Sequence, residues 1–412
     1  MTSEQSAGPL PPESSRAYPG WRVVATCFVM AVYAWGFCFY GHGFYLAELK
    51  ERLGWPASVV ASATTAFYLT SAVLSAFVGE VMLRFGVRRV ALAGLILVGS
   101  AASLLPLVTQ PWHLYAAYAV MSFGWAATSL TAITTLVGLW FNARRGLAIS
   151  IALTGASFGG ILVVPLLTYL GVRLGFAASV WIVAGVFGAV AVLMAVICLR
   201  GDPPFDPASG RRQDPVAKAG RGALLRSGAF WSVSAPFAIG FFAQVGFLVH
   251  EIALLEPAMG RAAAGAAVAV TTAAAVGGRL VLGAVVDRLD QRWVTGASFF
   301  SQAVALATIW TSREPALLLA AAALFGFSVG NVITLPALII GREFPGRDFA
   351  TVIGLSNAVC QIAYSFGPGL LGVLRDTTGS YSAPLILCIA LDGLAACAIV
   401  AGRRKTVFPA RA

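Results

Sequence analysis

The sequence predicts an all-α membrane protein of twelve transmembrane helices in two pseudo-symmetric six-helix bundles. Three observations predict it. The 412 residues are 58% hydrophobic and only 11% charged, with a mean hydropathy of +0.83, a balance that soluble folds do not reach. Long apolar stretches alternate with short polar turns. Finally, the pattern of the first half returns in the second.

The apolar stretches fall near residues 22–47, 57–82, 88–108, 112–139, 146–172 and 176–199, then 228–255, 262–287, 293–312, 315–341, 348–374 and 380–402. Most reach the roughly 20 residues that a helix needs to cross a hydrocarbon core of about 30 Å. Residues 1–19 are polar and proline-rich, read as a disordered tail, and lack the apolar core and cleavage site of a secretory signal. The first bundle therefore spans 20–199. The longest hydrophilic interruption, 200–227, carries Pro203, Pro204, Pro207 and Pro215 and reads as a linker on the inner side. The second bundle spans 228–402, followed by a short tail, 403–412.

The net charge of +11 is a topology signal rather than a sign of nucleic-acid binding. With both termini cytoplasmic, only Lys50, Arg52, Arg173, Arg261, Arg313 and Arg375 face outward, and Arg279 lies inside the membrane. All other Lys and Arg of the 28 in the chain fall on the cytoplasmic side, as the positive-inside rule requires. The expected location is the inner (plasma) membrane. The six cysteines all lie in apolar segments without paired spacing, so neither a disulfide framework nor a metal site is expected.

Arg279 stands in the otherwise uncharged run preceding Asp287. A guanidinium near the centre of a membrane helix costs about 2.5–3.5 kcal/mol on insertion scales, so it belongs on a polar interior. Its helical neighbours at three, four, seven and eight positions include Ala275, Gly283, Thr272, Thr271 and Asp287, a mostly small or polar stripe. This stripe is read as facing a cavity.

The two halves echo one another. Gly79, Arg84 and Arg88 recur as Gly283, Arg288 and Arg292 at a spacing of 204, and Phe141, Arg144 and Pro165 recur as Phe344, Arg347 and Pro368 at 203. Six-helix repeats with a midplane site between them are a transporter architecture.

These residues resemble the major facilitator superfamily. Its signature between the second and third helices appears as Gly79, Arg84, Gly86, Arg88 and Arg89, with Leu83 where the family has aspartate. The second copy keeps Gly283, Asp287, Arg288 and Arg292, with Asp290 in place of the glycine. The resemblance implies that this loop latches the cytoplasmic gate. More narrowly, the run WFNARRGLAISIALTGASFGGILVVP from Trp140 resembles monocarboxylate transporters and oxalate:formate antiporters. Gly20-Trp21, Gly54-Trp55 and GPGLLGVLRDTTGSY from Gly367 share that resemblance. Those carriers have an arginine in the eighth helix, followed three residues later by glycine, as Arg279 and Gly283 are here. The likeness implies that Arg279 binds a substrate carboxylate. Animal monocarboxylate transporters often place an aspartate one turn before that arginine; this chain has Ala275.

Further polar residues at helical spacing are candidates for the cavity wall: Tyr118, Ser122 and Trp125, then Ser328 and Asn331, then Asn357, Gln361 and Tyr364. The resemblance implies an aromatic lining at Tyr118. His42, placed toward the outer end of the first helix, is a candidate for substrate or proton. His250 and Glu251, near the outer end of the seventh helix, are candidates for the coupled proton. An interfacial pair in contact with water is the plainer reading of those two. Asp392, in the peripheral twelfth helix, is read as structural.

No phosphate-binding loop, nucleophile elbow or metal-ligand cluster appears, so no enzyme, cofactor or ATP-driven pump is expected. The leading expectation is a monomeric secondary transporter of a small organic anion, a monocarboxylate carried with a proton. An anion exchanger, an exporter of amphipathic compounds and a non-transporting membrane receptor remain as alternatives.

Overall fold

The computed structural model describes residues 11–200, 221–285, 288–344 and 348–402. Twelve long helices cross it among the described residues, and we number them α1–α12. The first half contains α1 (Gly20–Leu53), α2 (Ala57–Phe85), α3 (Val87–Leu107), α4 (Pro111–Gly138), α5 (145–174) and α6 (Phe176–Cys198). The second contains α7 (Gly228–Met259), α8 (Arg261–Val285), α9 (Gln291–Thr311), α10 (Pro315–Glu343), α11 (349–378) and α12 (Ser382–Ala401). By length and composition alone ten of these are apolar enough to span a membrane. The other two are α9 and α11. The second of these is divided at Phe366 into Phe349–Ser365 and Gly367–Thr378.

Two expectations change. Part of the expected linker is helical, at Arg221–Leu225. The segment from Pro11 to Pro19, expected as disordered tail, is seated on the turn between α4 and α5. The Glu13 carboxylate accepts from the backbone N–H groups of Asn142 at 2.9 Å, Ala143 at 3.3 Å and Arg144 at 2.8 Å. The Tyr18 hydroxyl donates to Trp140 O, and the Tyr18 and Trp21 rings meet Phe141 edge-on. What burial Glu13 has disfavours its charge, yet the three N–H donors hold its carboxyl below the usual carboxylate range.

Gly-rich faces bring helix pairs into backbone contact, as membrane packing favours where lipid supplies no hydrophobic drive. Between α8 and α10, a side chain on Gly326 would strike the Thr271 backbone, one on Gly330 that of Ala275, and one on Gly278 that of Phe327. Between α1 and α5 the approach coincides with two π-helical turns, Gly36–Tyr40 and Gly159–Val163. A Cβ on Gly159 would lie 2.6 Å from Gly36 N, and one on Gly36 2.7 Å from Val163 Cβ. Such bulges shift the register of every side chain beyond them. Here they fall at the level of the candidate site.

Candidate functional site

Helix α1 starts and α12 finishes at one end of the bundle, the terminal end; the opposite end is the far end. At the far end the halves bond to each other. Arg261, opening α8, reaches Glu48 of α1 at 2.8 Å and also pairs with Glu51 of α1 and with Glu256 of α7. Asp376 of α11 accepts from the backbone N–H groups of Ala57 at 3.2 Å and Ser58 at 2.6 Å, the first residues of α2. Gly43 of α1 abuts the Leu248 and Val249 carbonyls of α7, and Gly372 of α11 abuts Ser58.

At the terminal end each half has polar contacts of its own. Glu13 and Tyr18 hold the α4–α5 turn, and Arg88 of α3 donates to Val196 O of α6 at 3.0 Å. In the other half Arg292 of α9 pairs with Glu343 of α10 at 2.6 Å and donates to Ser232 O and Ile399 O, both at 3.1 Å. Contacts across the halves therefore join the far end, whereas the terminal-end contacts just given each lie within one half.

Between these ends lies Arg279. It is half-buried on α8, its Nε is shielded from solvent without a hydrogen-bond partner, and among the described residues no carboxylate pairs with it. Its electrostatic neighbour is Tyr40, which comes from α1 of the opposite half and also feels Glu251. Asn331 of α10 packs against Gly278, next to Arg279; its Oδ1 is buried and likewise unpartnered. A donor on α8 and an acceptor on the facing α10 are thus both left unsatisfied, which is costly unless a guest completes them.

Glu251 is fully buried, not in contact with water as an interfacial pair would be. Its Oε1 accepts from Thr271 of α8 at 2.7 Å, and its Oε2 has no partner. Thr271 lies two turns before Arg279 on the same helix. His250 points elsewhere: its ring nitrogens meet the Tyr381 hydroxyl at 3.1 Å and Pro368 O at 3.0 Å, tying α7 to α11 and α12. Adjacency in sequence does not join these two side chains.

His42 directly precedes Gly43 of the far-end contacts and is fully buried. It lies in the core of the first half, ringed by Phe67, Tyr118, Tyr68 and Tyr45 with centroids 4.7–6.2 Å away. The carbonyls of Cys38 and Phe39 lie close, but neither ring nitrogen makes a bond in good geometry. Tyr118 shares this nest and is also fully buried. Tyr68 continues the cluster to Tyr364 of α11, ring against edge at 5.5 Å across the halves. Gln361 and Asn357 continue the Tyr364 face toward the terminal end, the first half-buried and the second exposed. Ser122 and Ser328, read as cavity lining, instead donate to carbonyls of their own helices, as Ser often does within a helix. Trp125 packs against Trp35 at 4.7 Å.

Of the gate motif, Arg84, Gly86, Arg89, Gly283 and Arg288 are exposed and Gly79 and Arg88 half-buried, while Arg292 is buried. Asp287 lies outside the described residues. Sequence reasoning missed Tyr40, whose one signal was its place near Gly36 and Gly41. It also missed Arg261, whose partners lie on distant segments.

Two six-helix halves joined at one end around an internal arginine define a polytopic membrane carrier. The chain belongs to the Major Facilitator Superfamily, which matches residues 24–257 and 252–409. It is 26% identical over 391 residues to monocarboxylate transporter 11 of Homo sapiens, covering 89% of this chain and 79% of that one. It is 27% identical over 385 residues to monocarboxylate transporter 13 of Bos taurus, covering 89% and 85%. An uncharacterized transporter of this superfamily from Bacillus subtilis, YcxA, is 22% identical over 367 residues, covering 86% and 88%. Among solved structures, the nucleoside transporter NupG superposes with a TM-score of 0.74 at 14% identity, over 93% of this chain and 98% of that one. A bacterial homologue of the lysosomal transporter Spinster gives 0.70 at 13%, over 94% and 96%. The protein is thus a multi-pass membrane transporter of a small molecule, not an enzyme.

Proposed function

We propose that the protein carries a small monocarboxylate together with a proton by alternating access, with Arg279 as the carboxylate ligand. The observation that carries this reading is the unpaired Arg279 with its buried, unpartnered Nε. A guanidinium offers a rigid fork that fits a carboxylate through two parallel bonds and stays charged at physiological pH. One such cation inside the bundle matches one anionic group. The names of the relatives, monocarboxylate transporters 11 and 13, support the same class.

Tyr40 and Asn331 flank the arginine and would orient the acid. Asn357, Gln361 and Tyr364 line the route from the terminal end. Closure of the far end corresponds to the state open toward the cytoplasm, given the basic loops on the opposite side. Reopening at the far end requires Arg261 to leave Glu48 and Glu51. The coupled proton resides on Glu251, whose Thr271 bond ties it to the helix that bears Arg279, with His42 and His250 in the surrounding packing. A weak acid and a proton moving together transfer no net charge, whereas an anion alone is opposed by about 2.3 kcal/mol per 100 mV of inside-negative potential. The carrier sits in the plasma (inner) membrane with both termini cytoplasmic and acts as a monomer.

The experiment is uptake of labelled short monocarboxylates into liposomes holding the purified protein, with external pH recorded in weak buffer. Accumulation with external alkalinisation is expected. Uptake without a pH change moves anion exchange to first place, and uptake of amphipathic cations alone discards the assignment.

A further inference from the structure

The internal repeat exposes a missing partner. Arg292 and Arg88 correspond at a spacing of 204, and Ile399 and Val196, which accept from them, correspond at 203. In the second half the Arg292 fork is filled by the Glu343 carboxylate, at 2.6 Å from Nε and 2.8 Å from Nη2. The residue at the matching place in the first half is Trp140. Arg88 therefore keeps its carbonyl contact and loses its acid, and its Nε is buried with no partner.

A second cation converges on the same spot. Arg200, just after α6, donates its Nε to Val196 O at 2.9 Å, the same oxygen that takes the Arg88 Nη2 at 3.0 Å. Two guanidiniums thus share one carbonyl at the end of a helix, where the helix dipole is negative. Among the described residues neither pairs with a carboxylate. Glu13, which acts at the neighbouring α4–α5 turn, is occupied by the backbone N–H groups of Asn142, Ala143 and Arg144. Among the described residues, one unfilled hydrogen-bond donor and two guanidiniums without a carboxylate remain between the ends of α3 and α6.

We propose that Arg88 and Arg200 form a binding site for a phosphate group at the terminal end of the first half, filling the place that Glu343 fills in the second. A phosphate accepts several charge-assisted bonds at once and suits paired arginines better than a single neutral acceptor does. The site is separate from Arg279 and does not rest on the carboxylate reading. Its phosphate can come from an anionic lipid headgroup or from free phosphate in solution.

Thermal unfolding distinguishes these sources. The full-length protein is placed in nanodiscs of phosphatidylcholine with and without phosphatidylglycerol, and separately in detergent with inorganic phosphate. Phosphatidylglycerol is expected to raise Tm over phosphatidylcholine alone, and added salt to reduce the rise. In Arg88→Gln, and in Arg200→Gln at a solvent-exposed position, the lipid concentration for half the rise should increase about tenfold, the equivalent of one lost charge-assisted bond. A rise with inorganic phosphate that both variants lose assigns the site to a free anion. No rise in the native protein with either source, or an equal rise in native protein and both variants, overturns the proposal.

Discussion

Replacing Arg261 with Gln should open the far end. Arg261 is 13% exposed and bridges the halves through Glu48, itself 10% exposed, and through Glu51, which is 67% exposed. A hydrogen bond between charged groups in the shielded position of Glu48 contributes about 1.5–3 kcal/mol. The exposed Glu51 contact is screened and adds about 0–1 kcal/mol. Both exist only while α8 and α1 meet, so their loss removes about 1.5–4 kcal/mol from the far-closed state alone. That shifts the conformational equilibrium roughly 10- to 900-fold toward far-open. Spin labels at Trp112 and Arg313, exposed far-end positions of opposite halves, report the separation by pulsed dipolar spectroscopy. A longer-distance population should grow in Arg261→Gln, whereas Glu256→Gln, which removes a contact within one half, should change it little. An unchanged distribution in Arg261→Gln would refute the lock.

Glu251→Gln should bind acid but lose substrate-driven external alkalinisation, because an amide keeps the shape and carries no proton; full alkalinisation in that variant would move the proton to another group. Gly330→Leu should fail to yield folded carrier, since any side chain there meets the Ala275 backbone, and normal monodisperse yield in size-exclusion chromatography would contradict the close α8–α10 packing.

The twelve helices were legible because hydropathy and length act locally, and the halves because their motifs recur at fixed spacing. Arg279 stood out for the same local reason: a charge in an apolar run needs an explanation. The polar faces were read less well. Ser122 and Ser328 have the right spacing to line a cavity, yet a hydroxyl in a helix can bond the preceding turn, and both do. His42 was placed by counting along a straight helix, but the Gly36–Tyr40 π turn and the aromatic packing set its surroundings. The same turn carries Tyr40 toward Arg279, a shift that an ideal helical wheel does not contain. The Arg261 lock joins residues more than 200 positions apart, and only tertiary structure brings them together. Glu13 was assigned to a tail on composition, which takes no account of the three N–H groups waiting at the α4–α5 turn.

The most direct test of the carboxylate assignment is the affinity and uptake of Arg279→Lys at matched membrane abundance. Lysine keeps the charge and loses the planar fork, so the account predicts normal insertion with substrate binding weakened by roughly tenfold to a hundredfold, about 1.5–3 kcal/mol. Arg279→Gln should be weaker still. Native affinity and uptake in both variants would contradict the assignment and leave Arg279 as a structural cation.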